Sequence, residues 1–245
     1  LRRYGHLSTG NYNPRTARLY TDLSHLTADE QITADMDAVF DHLANQNRRP
    51  KLSRLLLAPF DLHRSLIGKI DAAGLAAERG EGGRIVAKMN ALTDEDLIRA
   101  LVRAGQRGAR IDLIVRGACM LPAQVPGVTD RIRVRSVIGR FLEHTRVFYF
   151  CAGTQEELYL SSADWMNRNM LRRVELAWPV TDRKLRQRII DECLVAYLHD
   201  DRDAWTLKPD GHYARAPRAL DGTGAQNALM ARYAPPPTAT PPQEQ

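Results

Sequence analysis

Cysteine is scarce in this sequence: Cys119, Cys151 and Cys193 lie far apart and form no Cys-x-x-Cys pair. A disulfide framework or a structural zinc site requires paired cysteines, so the spacing favours reduced thiols. No run approaches the roughly 20 apolar residues of a membrane-spanning helix, and the first residues lack the apolar core of a signal peptide. We therefore expect a globular protein without a transmembrane segment, in the cytoplasm, free or peripheral to the membrane.

Two nucleotide-binding signatures are also missing. The sequence contains no Gly-x4-Gly-Lys-Ser/Thr loop and no dinucleotide-binding fingerprint after a strand, which excludes the P-loop class of kinases within these residues. Basic residues are in excess, with 35 Lys and Arg against 29 Asp and Glu, a net charge of +6. A positive field of this kind favours an anionic partner. The charge alone leaves nucleic acid, acidic lipid, nucleotide and inorganic polyphosphate open.

The 245 residues are enough for one large or two small cores. The chain starts on a polar loop without methionine, which we interpret as a fragment of a longer protein. A capping box at residues 27–30 predicts a helix with apolar residues at helical spacing. The polar stretch 45–50 ends in Pro50 and should terminate this helix at a domain boundary.

From Leu52 onward, short apolar runs alternate with amphipathic segments, a pattern typical of an α/β domain. Helices are predicted at 61–77, after a cap at Thr93, and at 182–199. Strands are predicted at 55–57, 84–87, 111–115, 132–134, 147–150, 158–160 and 173–180. The predicted fold is a mixed sheet flanked by helices. The predicted domains are 1–50, the tail of a first domain; 51–205, a second domain; and 206–245, an extension that is disordered from about residue 234.

An internal repeat relates the two ends of the chain. Residues 7–16 align without gaps on residues 160–169, which places Asn11 on Asp164 at an offset of 153. Both copies contain Leu, Ser, a small hydroxyl residue, an Asn or Asp, an aromatic residue and an Arg. We interpret the repeat as two related half-sites beside one anion, with chance similarity as the alternative.

His144 begins a candidate half-site. It is followed by Arg146, an aromatic strand and the loop Ser161-Ser162-Ala163-Asp164. This arrangement resembles the His-x-Lys half-site of the phospholipase D superfamily, where two histidines from two half-domains perform phosphoryl chemistry, one as nucleophile and one as general acid. Imidazole suits both roles near neutral pH. Arginine replaces lysine at position 146, which argues against an ordinary phosphodiesterase.

The first copy should have its own His-x-Lys, which would fall before Leu1. His6 is too close to its loop to be the counterpart of His144, and the bland interpretation is a structural histidine near the pocket. We include His6, Asn11, Arg146 and Asp164 among candidate pocket residues.

Four motifs make the resemblance more specific. They are residues 4–22, which include Tyr4-Gly5-His6-Leu7-Ser8-Thr9-Gly10-Asn11-Tyr12-Asn13, and residues 113–119, 141–144 and 159–166. In this order they resemble polyphosphate kinase. The resemblance implies two phospholipase D-like C-terminal domains that bring ATP and polyphosphate together. It places the phosphorylated histidine and the Mg2+-binding arginines before Leu1.

Within this sequence the resemblance assigns four residues. The nucleotide-contacting tyrosine falls on Tyr20, an arginine after the central strand on Arg116, the catalytic second histidine on His144 and a further phosphate-binding arginine on Arg173. Each has a structural alternative: a core aromatic, a strand-end arginine, a packing histidine and a solvated arginine. Arg116 is favoured independently, because ligands bind where strands of an α/β sheet end.

The basic residues Arg131, Arg133 and Arg135 alternate along a predicted strand and should share one face. They are interpreted as one wall of a polyphosphate tunnel or as a solvated sheet face.

The leading hypothesis is a reversible ATP:polyphosphate phosphotransferase with a phosphohistidine intermediate. Its substrates are ATP/ADP and polyphosphate, with Mg2+ ligands upstream, a homo-oligomeric assembly and no nucleic acid partner. The chain alone should be inactive because half the site is absent. The alternatives are a phospholipase D-like phosphodiesterase or nuclease and a non-catalytic polyanion-binding fragment.

Overall fold

The computed structural model describes residues 2–45, 49–216 and 222–235. The strands are β1 Gly5–Ser8, β2 Tyr20–Thr21, β3 Ser24–Thr27, β4 Leu56–Ala58, β5 Gly83–Met89, β6 Arg110–Val115, β7 Ile132–Val137, β8 Leu142–Glu143, β9 Arg146–Ala152, β10 Gln155–Ser161, β11 Glu175–Pro179, β12 Ala204–Leu207 and β13 Tyr213–Arg215. The helices are α1 Glu30–Asn45, α2 Leu62–Glu78, α3 Glu95–Gln106, α4 Asn167–Leu171, α5 Arg183–Ile189, α6 Ala196–Leu198 and α7 Ala225–Tyr233, and a π-helical segment, Ile190–Val195, joins α5 to α6.

Nine strands form one mixed sheet in the order β13-β12-β7-β6-β5-β9-β10-β11-β4. The central strand β5 pairs parallel with β6 and antiparallel with β9. Its side chains alternate between two apolar clusters, with Ile85 in one and Val86 in the other. The predicted mixed sheet flanked by helices is confirmed.

The two clusters place helices on both faces of the sheet. Leu66 of α2 and Leu101 of α3 belong to the first cluster, and Leu194 and Tyr197 of the α5–α6 segment belong to the second. Burial on both faces explains why the central strands read as continuous apolar runs in the sequence.

The N-termini of two helices differ from the prediction by one or two residues. Asp29, not Thr27, caps α1, because its carboxylate accepts from the amide nitrogens of Gln31 and Ile32 at 3.0 and 2.9 Å. Asp94, not Thr93, caps α3 and accepts from the amide of Leu97 at 3.1 Å. In both cases the carboxylate adds a negative charge beside the positive end of the helix dipole.

The sheet continues beyond the domain boundary predicted at residue 205. β12 crosses that position and pairs with both β7 and β13, so the chain remains in the sheet as far as Arg215. The division into 1–50, 51–205 and 206–245 remains a prediction. Residues 46–48 of the predicted linker, and residues 236–245 of the segment expected to be disordered, lie outside the described residues.

Residues 2–45 form an arm against the sheet. β1 pairs antiparallel with β3, and β2 pairs parallel with β8. The buried carboxylate of Asp35 in α1 accepts from the amides of Ser53, Arg54 and Leu55 at 3.0, 2.6 and 2.9 Å. These bonds fix α1 to the residues just before β4. Over the described ranges, no helix is long and apolar enough to cross a membrane.

Candidate active site

An open cleft of about 470 Å³ lies where β5 and β6 end and β9 begins. It brings together seven residues singled out in the sequence: Asn11, Tyr20, Arg116, His144, Arg146, Asp164 and Arg173. The eighth, His6, does not line the cleft; its Nδ1 is 2.8 Å from the Tyr12 hydroxyl. The arm and the sheet thus meet at one pocket, at the carboxyl end of the parallel strands.

The repeat seen in the sequence is a repeated hydrogen-bonded turn. Ser8 Oγ accepts from the amide of Gly10 at 3.1 Å, and Ser161 Oγ accepts from the amide of Ala163 at 3.0 Å. The hydroxyls of both serines donate to backbone carbonyls, Ser8 to Leu23 at 3.3 Å and Ser161 to Leu176 at 2.8 Å. Each pair of positions is offset by 153 residues.

The residue after each serine, Thr9 or Ser162, also carries a hydroxyl, and in both copies this hydroxyl bonds to an acidic side chain. Thr9 Oγ1 accepts from the amide of Leu23 at 3.0 Å and donates to Asp22 at 2.8 Å. Ser162 Oγ accepts from the amide of Leu176 at 3.1 Å and donates to Glu175 at 2.5 Å. Asp22 and Glu175 are also 153 residues apart. The two half-sites therefore share one hydrogen-bond pattern that ends in a carboxylate.

His144 is held by the arm. Its Nδ1 lies 2.9 and 3.0 Å from the two carboxylate oxygens of Asp22. The parallel pairing of β2 with β8 puts Tyr20 beside it, with 4.8 Å between the ring centroids. A carboxylate at Nδ1 favours the tautomer with its proton on Nδ1 and leaves Nε2 as the ring nitrogen that could exchange a proton with a ligand. The acid of the first copy of the turn thus orients the histidine of the second.

Arg146 and Asp164 form the floor of the cleft. Arg146 donates to the two oxygens of Asp164 at 3.2 and 2.9 Å and to the carbonyl of Thr9 at 2.8 Å. Its Nη1 is also 3.1 Å from Nε2 of His144. With 6% of its surface exposed, Arg146 joins the two copies of the turn through bonds inside the protein.

Asp164 is ionised in this setting. Burial alone would raise the pKa of its carboxyl, but the Arg146 guanidinium and the Asn90 amides outweigh burial and hold the pKa below its usual value. The Asn90 backbone amide donates to Asp164 at 2.7 Å, and the Asn90 side chain accepts from Nε of Arg116 at 3.2 Å. Asp164 therefore fixes the β5 terminus, which in turn orients Arg116.

Three arginines at the cleft keep donors free for a ligand. Arg116, Arg168 and Arg173 line it, and none forms an ion pair with any described residue. Guanidinium groups bind phosphate oxygens through two parallel hydrogen bonds. The nearby carboxylates are already engaged with donors of the protein. The cleft therefore suits a ligand with several phosphate groups.

A buried ionic network supports the strand before His144. Lys88 Nζ and Glu143 Oε2 are 2.6 Å apart and both side chains are almost fully buried. Glu143 also accepts from Tyr197 at 2.9 Å, Thr21 at 2.8 Å and Gln226 at 2.5 Å. Burial opposes ionisation, but Lys88 and these donors keep the pKa of Glu143 below its usual value. Four separate segments are thereby tied to the residue next to His144.

No group of three or more His, Cys, Asp or Glu side chains is placed to hold a metal ion within residues 2–45, 49–216 and 222–235. The described lining of the cleft includes Arg116, Arg168, Arg173 and His144.

The sequence prediction did not identify Asp22, Asn90 or Glu175. The repeat alignment stopped at residues 16 and 169, whereas its hydrogen bonds continue to residues 23 and 176. Extending the alignment would have matched Asp22 with Glu175 and Tyr20 with Arg173. Asn90 follows a buried strand and gives no signal of its own.

The comparisons with known proteins agree with this geometry. Residues 55–227 match the family profile described as polyphosphate kinase C-terminal domain 2, and residues 1–49 match polyphosphate kinase C-terminal domain 1. Curated polyphosphate kinases from Paraburkholderia phytofirmans and Burkholderia vietnamiensis are 49% and 50% identical over 95% of this chain. The chain spans about a third of the length of these relatives, 34% in both cases.

A solved structure gives the same result. The crystal structure of polyphosphate kinase from Porphyromonas gingivalis superposes with a TM-score of 0.87 and 36% identity, covering 95% of this chain and 36% of that one. The paired half-sites, the arginine-lined cleft and these similarities together show that the chain belongs to the polyphosphate kinase family.

Proposed function

We propose that this chain supplies one half-site of a reversible ATP:polyphosphate phosphotransferase that works through a phosphohistidine. The observation that carries the proposal is the duplicated turn. One copy presents Asp22 to His144, and the other presents Glu175, which lines the same cleft. The pattern assigns Glu175 as the carboxylate for a second histidine, contributed by a segment that this sequence does not include.

The chemistry follows from two facing histidines. Nε2 of the second histidine attacks the terminal phosphorus of ATP, the bond from phosphorus to the bridging oxygen breaks, and ADP leaves. A terminal oxygen of polyphosphate then attacks the same phosphorus and the phosphorus–nitrogen bond breaks, which lengthens the polymer by one phosphate. The first step replaces a phosphoanhydride bond with a phosphorus–nitrogen bond, and the second step does the reverse. Both steps are therefore reversible, because each breaks one high-energy phosphorus bond and forms another.

His144 serves these steps as the acid and base. Asp22 holds the Nδ1 proton, so Nε2 can give a proton to the departing oxygen and take one from the incoming oxygen. Arg116, Arg173 and Arg168 neutralise the phosphate oxygens, where charge stabilisation is the main demand of phosphoryl transfer. Tyr20, whose ring borders both His144 and the cleft, contacts the nucleotide.

Magnesium ions accompany ATP in phosphoryl transfer and neutralise its phosphates. Among the described residues, no three His, Cys, Asp or Glu side chains lie close enough together to hold a metal ion. We therefore assign no metal-binding residue within them. Ligands upstream of Leu1, a homo-oligomeric assembly and a cytoplasmic or membrane-peripheral location remain predictions.

The test uses the full-length protein with His144→Gln, which keeps a similar size but cannot transfer a proton. We expect polymer synthesis from ATP to fall about 100-fold or more, in the range of general acid–base catalysis. The matched control is His212→Gln, since His212 is exposed in the turn before β13. Synthesis at the wild-type rate by His144→Gln would refute the role of His144.

A second measurement separates the kinase from a phosphodiesterase. Wild-type protein incubated with ATP labelled at the terminal phosphate should acquire an acid-labile label on histidine. No such label, combined with cleavage of a phosphodiester substrate, would favour the phospholipase D-like alternative instead.

A further inference from the structure

A second basic pocket lies on the sheet away from the cleft. It has a volume of about 400 Å³ and is lined by four arginines, Arg84, Arg110, Arg133 and Arg135, together with Asp112, residues of the α5–α6 segment and β12. We call it the arginine pocket. The cleft lies at the carboxyl ends of β5 and β6, whereas Arg84 and Arg110 lie at the amino ends of these strands. Six residues of strand separate the two, about 20 Å.

This position revises the expectation for the predicted arginine stripe. Arg133 and Arg135 do share one face of β7, as the alternation predicted, but Arg131 precedes the strand. The face that they share borders the arginine pocket and not the cleft. The stripe is therefore not a wall of the catalytic cleft.

The arginine pocket carries more positive than negative charge. Asp112 is buried at its base and pairs with Arg84 and with Arg110, the latter at 3.5 Å. Asp200 is the other acid that acts on Arg135, although its carboxylate accepts from the amides of Arg202, Asp203 and Ala225. Four guanidinium groups against two carboxylates leave two positive charges uncompensated.

Two of the arginines have donors to spare. Arg135 is half-buried and uses only Nη1, which donates to the carbonyls of Tyr197, Leu198 and Asp200. It has no ion pair with a described residue, and Arg133 has neither an ion pair nor a side-chain hydrogen bond with one. A guanidinium group offers five N–H donors. Both residues line the pocket, whose volume of about 400 Å³ is large enough for a ligand.

The arrangement fits an anion that repeats along its length. The arginines come from three neighbouring strands, β5, β6 and β7, which lie about 4.8 Å apart. A single phosphate would occupy one guanidinium fork, whereas a row of forks can engage successive phosphate groups of one chain. Arg84 and Arg135 are half-buried, which strengthens their contacts with an anion relative to those of a fully solvated guanidinium.

We propose that the arginine pocket is a second, non-catalytic site that binds condensed phosphate. The choice of this anion rests on the proposed function, which makes polyphosphate the polyanion that the protein handles. The pocket holds a segment of the polymer about 20 Å from the cleft, by the strand spacing above, and so keeps a long chain attached between transfers.

The test measures binding of sodium tripolyphosphate by titration calorimetry in the full-length protein. Arg116→Gln is the parent, because it weakens binding in the cleft and leaves the arginine pocket intact. Adding Arg110→Gln and Arg133→Gln should weaken the remaining binding roughly tenfold or more. Both side chains are exposed, so the variant should fold normally, which circular dichroism checks.

The matched control adds Arg99→Gln and Arg103→Gln instead, on the surface of α3. It removes the same charge away from the pocket and should change the affinity less than about threefold. If the Arg110/Arg133 substitutions and the Arg99/Arg103 substitutions weaken tripolyphosphate binding equally, only net charge matters. If the Arg110/Arg133 substitutions leave the affinity unchanged, the site does not exist. Either result overturns the proposal, as does displacement of tripolyphosphate by an equally charged glutamate peptide at the same concentration.

The result is independent of catalysis. If the protein transfers no phosphate at all, the proposed function fails, yet the heat of tripolyphosphate binding still decides whether the arginine pocket binds condensed phosphate.

Discussion

Asp22→Asn is the sharpest test of how the arm contributes to catalysis. The substitution keeps the shape of the side chain but removes the charge that holds Nδ1 of His144, at 2.9 and 3.0 Å. An asparagine can also turn its NH2 group toward the ring and so favour the wrong tautomer. The hydroxyl of Thr9, 2.8 Å from Asp22, can still donate to the amide oxygen. The damage is therefore centred on the histidine.

The expected magnitude follows from the lost interaction. A hydrogen bond to a charged group contributes about 1.5–3 kcal/mol, which corresponds to a decrease in kcat of about 10- to 150-fold if Asp22 acts on the transition state. The assay is polymer synthesis from ATP by the full-length protein. Asp37→Asn is the control, because Asp37 forms an exposed ion pair with Arg3 and such pairs contribute little.

A double-mutant cycle distinguishes positioning from general damage. The free energies of unfolding in urea of Asp22→Asn, His144→Gln and the double variant should give a coupling energy of about 1.5–3 kcal/mol. Nitrogen NMR of the His144 ring should show protonation at Nδ1 in the wild type. Wild-type turnover in Asp22→Asn, or a coupling energy near zero, would refute the assignment of Asp22.

Other predictions concern the support of the site. Lys88→Met leaves Glu143 buried without its partner and should lower the free energy of unfolding by about 3–5 kcal/mol, while adding Glu143→Gln should restore part of it, measured in urea. Gln226→Ala removes the amide that accepts from the backbone N–H of Phe141 and donates to its carbonyl, each at 2.8 Å, and should lower both the melting temperature and kcat. The neighbouring Asn227→Ala should change neither, because the half-buried Asn227 side chain makes no hydrogen bond with a described residue. Because the folded-state pKa of Asp164 is depressed, its stabilisation is complete above about pH 4 and is lost as the pH falls through that pKa. Asp164→Asn should therefore destabilise the protein at pH 7 and flatten the fall in stability below pH 4, followed by acid titration. Burial raises the pKa of Cys193 to about 11, so a thiol reagent at pH 8 should modify Cys193 only after unfolding.

The sequence was sufficient for the elements whose signals are local. The apolar run at 111–115 and the turn at Gly153 correspond to β6 and to the β9–β10 hairpin. The strand pairing of β2 with β8 could not be predicted in this way, because each strand has two residues and they are more than 120 residues apart. Local propensity carries no information about such a contact.

The candidate site was predicted in part for the same reason. His144, Arg146, Arg116 and the repeat residues Asn11 and Asp164 stand out in the sequence itself, whereas Tyr20 and Arg173 are assigned only by the family resemblance. All seven line the cleft, and their roles stay predictions. His6 belongs to the first motif, but its side chain bonds to Tyr12 and does not line the cleft. Asp22 lies between β2 and β3 and Glu175 begins β11, so each follows its turn by more than ten residues and lies beyond the aligned window.

The bond between Asp22 of one half-site and His144 of the other limits how this protein can change in evolution. The histidine and its acid are carried by different copies of one turn, 122 residues apart. Neither copy can be replaced by that of a distant relative without losing a partner, so recombination within the site is penalised and the two ends of the chain are inherited as a unit.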